Sequence, residues 1–130
     1  MRLLVDSDIL IDVLRSEDKA ANFLEVWESE ATIAISVVTE MEVLAGCRNK
    51  QEFAHTSRFL GRFEWVGLDP EIDETASQLF RTYRLSHGLM IPDCLIAATA
   101  LTLKIPLATK NHRDFHFIDG LRRVPYGESA

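Results

Sequence analysis

Residues 3–10 of this chain are Leu3-Leu4-Val5-Asp6-Ser7-Asp8-Ile9-Leu10. Residues 3–5 are apolar throughout, which is typical of a strand buried on both faces of a sheet. Three polar residues then interrupt the apolar run, and the apolar residues that follow recur at helical spacing. A buried strand that passes directly into a helix is typical of a parallel α/β sheet.

The rest of the chain continues this alternation of strands and helices. Further strands are predicted at residues 32–36, 65–68 and 105–108, and a fifth either at residues 115–118 or around Val124. Helices are predicted at residues 9–16, 19–28, 37–47, 51–63, 72–85 and 93–103. No repeat or linker divides the 130 residues. We therefore predict a single α/β domain, residues 1–130, with a central parallel sheet of four to five strands and helices on both faces.

Charge and composition limit the function. The net charge is −6 and the isoelectric point is about 5.1, so no overall positive field attracts nucleic acid or membranes. Asp6 comes too early for a secretory signal peptide, and no apolar run is long enough to span a bilayer. Cys47 and Cys94 are the only cysteines, and we expect free thiols in a reducing cytoplasm. These features predict a soluble, cytoplasmic protein.

Four carboxylates stand beside short apolar segments, where the backbone is predicted to turn. Asp6 follows the first strand, Glu42 follows the second, Asp93 begins an apolar helix, and Asp114 follows the fourth strand. Segments that leave one edge of a parallel sheet converge on one crevice. Four acids in one crevice repel each other unless a divalent cation neutralises them. The pattern therefore predicts a metal-dependent enzyme that acts on a phosphate-containing substrate.

Each of these acids also has an ordinary structural explanation. Asp6 or Ser7 could cap a helix, Asp93 lies in a first helical turn, where the helix dipole favours a carboxylate, and Asp114 lies among turn-forming residues. A helix as apolar as residues 93–103 would nevertheless bury its first turn, and a buried, unpaired carboxylate is costly. A nearby cation would remove that cost.

Two acids compete for the site on the third helix. Thr39 and Glu42 fit a capping box, in which the acid folds back onto the start of its helix. The helical pattern begins at Val37, however, so Glu42 lies on the second turn, too late to cap. Glu40 points in a different direction from Glu42, so only one of them can face the crevice. We select Glu42.

His112 and His116 are four residues apart, a spacing that can bind zinc on a helix. The segment that contains them is predicted to be a loop, and no cysteine or further histidine completes a ligand set. We therefore predict surface histidines and no zinc site.

The order of these motifs resembles that of the PIN-domain nucleases, in particular the small VapC-type toxins of prokaryotic toxin–antitoxin pairs. The family has an Asp that closes the first strand, then Glu-Leu-x-x-Gly, Asp-x-x-Ile-Ala-Ala and Thr-x-Asn-x-x-Asp-Phe. The matching segments here are Val-Asp-Ser-Asp-Ile-Leu-Ile around Asp6, Glu-Val-Leu-Ala-Gly from Glu42, Asp-Cys-Leu-Ile-Ala-Ala from Asp93, and Thr-Lys-Asn-His-Arg-Asp-Phe through Asp114. The resemblance covers about residues 2–125.

Two positions depart from the family pattern. Val43 follows Glu42 where the family has Leu, which leaves the acid in place. Asp8 stands where the family often has an uncharged Asn or Ser, and it could either add a ligand or cap the first helix. We leave Asp8 out of the core set.

The resemblance implies a metal-dependent endoribonuclease that cleaves RNA, acts as a toxin, and forms a homodimer bound to an antitoxin protein. Ligands that are all carboxylates favour hard cations, so we expect Mg²⁺ or Mn²⁺. We assign Asp6, Glu42, Asp93 and Asp114 as the catalytic acids, with Asp6 and Asp93 as the principal metal ligands. Glu42 and Asp114 would act directly or through water.

Further assignments follow from position along the chain. Thr109 and Asn111 are candidate orienting groups, while Lys110 and Arg113 could hold flanking phosphates. We also expect that residues 51–63, which carry three of the phenylalanines, form with the first helix a groove for an apolar antitoxin segment.

Two other classes of protein use similar acids. One is the Asp-x-Asp phosphatases, for which Asp6 and Asp8 fit, but these also need a later lysine, a further acidic pair and usually a cap domain. The other is a non-enzymatic phospho-acceptor domain, which needs an acceptor aspartate at the end of its middle strand. The candidates here are Ser36 and Asp69, and Asp69 precedes a proline in a predicted turn.

Overall fold

The computed structural model describes residues 1–126, so the last four residues of the predicted domain lie outside the described part. The strands are β1 (Arg2–Val5), β2 (Thr32–Ser36), β3 (Glu64–Val66), β4 (Leu107–Ala108) and β5 (Arg123–Val124). The helices are α1 (Ser7–Leu14), α2 (Asp18–Glu30), α3 (Val37–Ala45), α4 (Lys50–Leu60), α5 (Pro70–His87), α6 (Ile91–Leu103) and α7 (His112–Phe115). The predicted alternation of strands and helices is confirmed.

All five strands form one parallel sheet in the order β3-β2-β1-β4-β5. Strand β1 is central: Leu4 pairs with Ala34 of β2 on one side and with Leu107 of β4 on the other. The chain crosses from β1 to β2 in one direction and returns to β4 in the other, so the strand order reverses at β1. In open α/β sheets such a reversal opens a crevice at the carboxyl ends of the strands. Asp6 follows β1 directly and lies at this point.

Helices cover both faces of the sheet, and β1 shows why. Side chains alternate between the two faces along a strand. Leu4 packs into one core with α5 and α6, whereas Leu3 and Val5 pack into the other with α1 and α2. All three side chains are fully buried, and burial of each contributes roughly 1.5–3 kcal/mol relative to exposure. The uniformly apolar strand is therefore explained by burial on both of its faces.

Helix α6 is the most deeply buried helix, as its apolar composition predicts. Six of its residues are buried: Cys94, Ile96, Ala97, Ala98, Thr99 and Ala100. Its small side chains permit close contact with α5 on one side and with α3 on another. No helix among residues 1–126 combines the length and the apolar character needed to cross a membrane.

The end of helix α4 differs from its predicted position. Helix α4 ends at Leu60 rather than at residue 63, because the chain must be extended again at Glu64 to enter β3. Phe63 is consequently buried in the link before β3, while Phe53 on α4 is 49% exposed.

The segment that follows β4 was predicted to be a loop, and that prediction was wrong. Residues His112–Phe115 form the short helix α7, closed by a 2.9 Å hydrogen bond from the His116 N–H to the His112 carbonyl. Phe115 is fully buried in the core and holds this turn against the sheet. The fifth strand therefore lies at Arg123–Val124, the second of the two predicted positions.

Candidate active site

Asp6 lies at the end of the central strand, and its side chain is almost fully buried, with 5% exposed. One carboxylate oxygen accepts a 2.7 Å hydrogen bond from the Ser7 N–H and so caps α1. The other accepts a 2.8 Å hydrogen bond from the hydroxyl of Thr109. Burial raises the pKa of Asp6, and these hydrogen bonds oppose the rise. Asp6 therefore has the capping role that we weighed as its ordinary explanation and also occupies the crevice.

Glu42 lies beside Asp6 and is partly buried. The hydroxyl of Ser36 caps the start of α3 by accepting a 3.1 Å hydrogen bond from a backbone N–H, so Thr39 and Glu42 do not form a capping box. The Glu42 carboxylate instead accepts a 3.1 Å hydrogen bond from the hydroxyl of Ser7. Burial, followed by the charge of Asp6, raises the pKa of Glu42, while the Ser7 hydroxyl lowers it.

Glu40 points elsewhere. Its carboxylate accepts a 3.3 Å hydrogen bond from the indole N–H of Trp65, on the edge strand β3. The expectation that only one of the two acids faces the crevice is therefore met, and the acid that faces it is Glu42.

Asp93 is the third residue of α6 and is partly buried. Burial, followed by the charges of Asp6, Asp114 and Glu42, raises the pKa of Asp93 from 3.8 to about 7. A hydrogen bond shared with the carboxyl group of Asp114 raises this pKa further, because it favours the protonated form. Asp93 therefore lies near enough to Asp6, Asp114 and Glu42 for their charges to act on it. Their catalytic roles stay predictions.

Asp114 lies on α7 and is tied to the turn that follows β4. Its carboxylate accepts a hydrogen bond from the side-chain amide of Asn111. The Asn111 N–H donates a 3.1 Å hydrogen bond to the hydroxyl of Thr109, which is itself fully buried and bonded to Asp6. Thr109 and Asn111 thus link Asp6 to Asp114, and their role as orienting groups stays a prediction.

The two basic residues of the segment after β4, Lys110 and Arg113, differ in whether their charge is paired with an acid. The ammonium group of Lys110 pairs with the buried carboxylate of Asp12 on α1, at 2.5 Å. Arg113 is exposed to solvent. Of the two residues predicted to hold phosphates, Arg113 is the one whose charge is not engaged by another described side chain.

Asp8 faces the same turn as Asp6. Its carboxylate accepts hydrogen bonds from the N–H groups of Ile9, at 2.8 Å, and Lys110, at 3.0 Å. Burial, followed by the charge of Asp6, raises the pKa of Asp8 to about 6. Because Asp6 is the N-cap of α1, the function still open for Asp8 is that of an added ligand, and its contact with Lys110 ties α1 to the turn after β4.

The donor set fits a hard divalent cation by its chemistry. Asp6, Glu42, Asp93 and Asp114 offer only oxygen atoms, and the pKa values of the first three are raised by burial first and then by the charges of neighbouring acids. Yet no three His, Cys, Asp or Glu side chains within residues 1–126 are already arranged to hold a metal ion. Binding an ion would therefore require some of these side chains to move, whereas Asp6 is held by its hydrogen bonds from Ser7 and Thr109.

Other candidate sites are accounted for by local structure. His112 and His116 are exposed, and the ring of His112 contacts the Arg123 guanidinium at 2.7 Å. Ser36 and Asp69, the candidate phosphate acceptors, cap α3 and α5. These positions provide no support for a zinc site or for a phospho-acceptor domain.

Sequence reasoning missed two residues that organise the crevice. Ser7 was considered only as a helix cap, but its hydroxyl links Glu42 to the end of β1. Asp12 was not considered at all, although a charge within the apolar segment Ile9-Leu10-Ile11-Asp12-Val13-Leu14 was a visible signal. A buried acid on an apolar helix face requires a partner, and here that partner is Lys110.

The chain was compared with known proteins. The PIN domain family matches residues 3–121. Ribonuclease VapC19 of Mycobacterium tuberculosis is 37% identical over 125 residues, which cover 95% of this chain and 98% of that protein. Ribonuclease VapC1 of Methanocaldococcus jannaschii is 32% identical over 116 residues, which cover 88% of this chain and 79% of that protein.

Two solved structures extend these similarities to three dimensions. A toxin–antitoxin complex from Klebsiella pneumoniae contains a chain with 32% identity and a TM-score of 0.79, covering 95% of this chain and 96% of that one. VapBC2 from Rickettsia felis, bound to a DNA fragment from its promoter, contains a chain with 27% identity and a TM-score of 0.82, covering 95% and 98%. Sequence and fold agree over nearly the whole length, and this chain belongs to the PIN-domain family.

Proposed function

We propose that this chain is a divalent-metal-dependent endoribonuclease and the toxin of a toxin–antitoxin pair. The observation that carries the proposal is the convergence of Asp6, Glu42, Asp93 and Asp114 at the carboxyl ends of the strands, in a chain of the PIN family. Its relatives from Mycobacterium and Methanocaldococcus are named ribonucleases. The phosphatase alternative fits less well, because the lysine available to it, Lys110, is paired with Asp12.

Asp6 and Asp93 are the principal metal ligands in this proposal, and Glu42 and Asp114 complete the site directly or through water. Because every donor is a carboxylate oxygen, the ion is Mg²⁺ or Mn²⁺. When bound, the ion polarises a phosphodiester oxygen and lowers the pKa of a water molecule for in-line attack.

The protein's own contribution is to hold these acids in position. Ser7 ties Glu42 to the first turn of α1, and the buried hydroxyl of Thr109 ties Asp6 to the turn after β4. Rigid partners of this kind reduce the reorganisation needed when metal and substrate bind. Arg113, exposed next to the crevice, is placed to hold a flanking phosphate of the RNA.

The antitoxin is proposed to occupy two features. An acidic crevice can receive an Arg or Lys side chain, which neutralises the carboxylates and excludes the metal. Helices α1, α3 and α4 also border a cleft of about 590 Å³, which is lined by the apolar side chains of Ile11, Leu14 and Val43 and by the charged side chains of Arg15, Arg48 and Glu52. Phe53, half exposed on α4, extends the apolar surface available to an antitoxin segment. Phe63 is buried and takes no part.

A homodimer is proposed as the assembled form. Leu85, Met90 and Ile91 are 99%, 56% and 63% exposed where α5 passes into α6, and a second copy would cover these apolar side chains. Size-exclusion chromatography with light scattering should then give twice the 14.7 kDa of one chain. An RNA substrate, together with the free thiols Cys47 and Cys94, favours the cytoplasm as the location.

Cleavage of a labelled RNA by the purified protein tests the proposal. We expect cleavage with Mg²⁺ or Mn²⁺, none after chelation, and slow growth of a host that expresses the wild-type chain alone. A variant with Asp93→Asn should neither cleave RNA nor slow growth. Full cleavage in the presence of a chelator would contradict the metal requirement. A harmless monomer that cleaves RNA with Mn²⁺ would preserve the nuclease and refute the toxin.

A further inference from the structure

Two acids on α1 hold one residue of the turn that follows β4. Asp8 and Asp12 are four residues apart and therefore lie on the same face of the helix. The Asp8 carboxylate accepts a 3.0 Å hydrogen bond from the backbone N–H of Lys110, and the Asp12 carboxylate pairs with the Lys110 ammonium at 2.5 Å. Helix α1 thus binds both the main chain and the side chain of Lys110.

The neighbours of Lys110 reach two of the four acids in the crevice. Thr109 donates its hydroxyl proton to Asp6 at 2.8 Å, and Asn111 donates a side-chain hydrogen bond to Asp114. Thr109 and Asn111 are joined by the 3.1 Å hydrogen bond between the Asn111 N–H and the Thr109 hydroxyl. Residues 109–111, which we call the site turn, therefore connect α1 to both acids.

Burial determines where the Lys110 ammonium stays. The side chain of Asp12 is only 7% exposed, whereas that of Lys110 is 40% exposed. A surface ion pair contributes little, but a buried carboxylate that loses its partner is strongly disfavoured. If Lys110 moved away to hold a phosphate, it would leave Asp12 as a buried, uncompensated charge. The Lys110 ammonium group is therefore expected to stay paired with Asp12 on α1.

We propose that Asp12 and Lys110 form a latch that positions the site turn, and that Lys110 is a positioning residue rather than a phosphate ligand. The latch acts through Thr109 on Asp6 and through Asn111 on Asp114. Its effect on catalysis rests on the proposed ribonuclease function, whereas its effect on the turn does not. This inference replaces the role in phosphate binding that the sequence suggested for Lys110.

The two roles for Lys110 predict opposite effects at Asp12. If Lys110 holds a phosphate, Lys110→Met raises KM for RNA and lowers the salt dependence of binding by about one counterion. In that case Asp12→Asn, which removes a negative charge near the RNA, leaves KM unchanged or lowers it. If the two residues form a latch, both substitutions misplace the turn and lower kcat, because small displacements at a reacting centre can reduce rates up to about a hundredfold.

The test compares Asp12→Asn, Lys110→Met, the double variant, and Arg2→Met as a control. Arg2 also forms an ion pair, with Glu64, but it lies at the start of β1, at the opposite end of that strand from Asp6. Steady-state RNA cleavage in Mg²⁺ gives kcat and KM at several salt concentrations. Amide hydrogen exchange of the RNA-free proteins reports on the N–H groups of Lys110 and Asn111.

The latch predicts that Asp12→Asn and Lys110→Met lower kcat about tenfold or more with KM nearly unchanged, and that the double variant is no worse than the worse single variant. Amide exchange at Lys110 and Asn111 should become faster in both single variants and in the double variant. Exchange of the α6 amides should not change in any of them, and exchange at Lys110 and Asn111 should not change in Arg2→Met. A KM effect confined to Lys110→Met, or unaltered exchange in Asp12→Asn, would overturn the proposal. If the wild-type chain cleaves no RNA, the proposed function fails, and the exchange data alone decide whether the latch exists.

Discussion

The end of strand β1 and the start of helix α6 each place one aspartate in the acidic crevice, and the protein surrounds the two carboxylates differently. Asp6 is the more deeply buried, yet it accepts hydrogen bonds from the Ser7 N–H and the Thr109 hydroxyl. Asp93 is less buried, but three acids repel its charge, and its hydrogen bond with the Asp114 carboxyl group favours the protonated form. Its pKa rises to about 7.

This difference separates two tasks within one site. The hydrogen bonds at β1 offset part of the cost of burying the Asp6 carboxylate and hold its side chain in position before any metal arrives. The charge on Asp93 is stabilised only by what enters the crevice, so that this ligand couples metal binding to proton release. We infer that β1 supplies the rigid part of the proposed metal site and α6 the responsive part.

The largest expected effect is the loss of activity when either ligand is neutralised. Asp6→Asn and Asp93→Asn each keep the side-chain shape, and each should lower RNA cleavage by more than the roughly 10- to 100-fold that loss of an outer partner of a metal ligand costs. Single-turnover cleavage in saturating Mg²⁺ measures the effect. Wild-type cleavage by either variant would refute the assignment of that residue.

The second effect is expected at α3, where the two glutamates differ in what they contact. Glu42→Gln should lower cleavage by roughly tenfold to a hundredfold, because Glu42 lies beside Asp6 and has its own link to Ser7. Glu40→Gln is the matched control and should have little effect, since its carboxylate contacts Trp65 at the edge of the sheet. Initial rates at fixed Mg²⁺ rank the variants, and the reverse ranking would contradict the geometry of α3.

Much of this arrangement could be predicted from the sequence, because burial leaves a strong signal. The apolar residues of β1 and the evenly apolar α6 allowed only buried positions, and acids next to such segments had to meet at the carboxyl ends of the strands. The choice of Glu42 over Glu40 came from the Glu-Val-Leu-Ala-Gly spacing that resembles the family motif, whereas the start of α3 at Val37, which the structure confirms, argued only against a capping role.

The remaining features depend on contacts between distant parts of the chain. Helix α7 forms because Phe115 reaches the core, which the turn-forming residues around it do not indicate. The pairing of Lys110 with Asp12 joins residues 98 positions apart. The raised pKa of Asp93 likewise arises from Asp6, Glu42 and Asp114 together with burial, and no local pattern encodes that sum.

The third prediction concerns pH and metal together. Because Asp93 must lose its proton to bind an ion, and its pKa in the metal-free protein is about 7, protons compete with the metal below neutral pH. The Mg²⁺ concentration for half-maximal cleavage should therefore increase by up to about tenfold for each unit of pH below 7. At saturating Mg²⁺, the pH at which the cleavage rate falls to half of its maximum should be lower than at limiting Mg²⁺. A half-maximal concentration that is constant from pH 6 to 8 would show that Asp93 is not the titrating ligand.

The smallest expected effect is on the stability of the metal-free protein. The pKa of Asp93 is raised on folding, from 3.8 to about 7, so the folded state binds the proton more tightly than the unfolded state. Its contribution to stability is therefore fully present below about pH 4 and is lost as the pH rises through 7. Because Asp93 is only partly buried, solvent screening reduces the loss to about 1 kcal/mol.

Asp93→Asn removes this titration, so the variant should be more stable than the wild type at pH 8, with the difference fading toward pH 4. Asp6→Asn should show a smaller gain, because the hydrogen bonds from Ser7 and Thr109 already stabilise the Asp6 carboxylate. Urea unfolding in the presence of a chelator, at pH 4, 6 and 8, measures both differences. Equal gains for the two variants at pH 8 would mean that the hydrogen bonds at β1 do not distinguish Asp6 from Asp93. Asp6 and Asp93 would then behave as equivalent members of one cluster of charges, and the distinction between a rigid and a responsive ligand would be wrong.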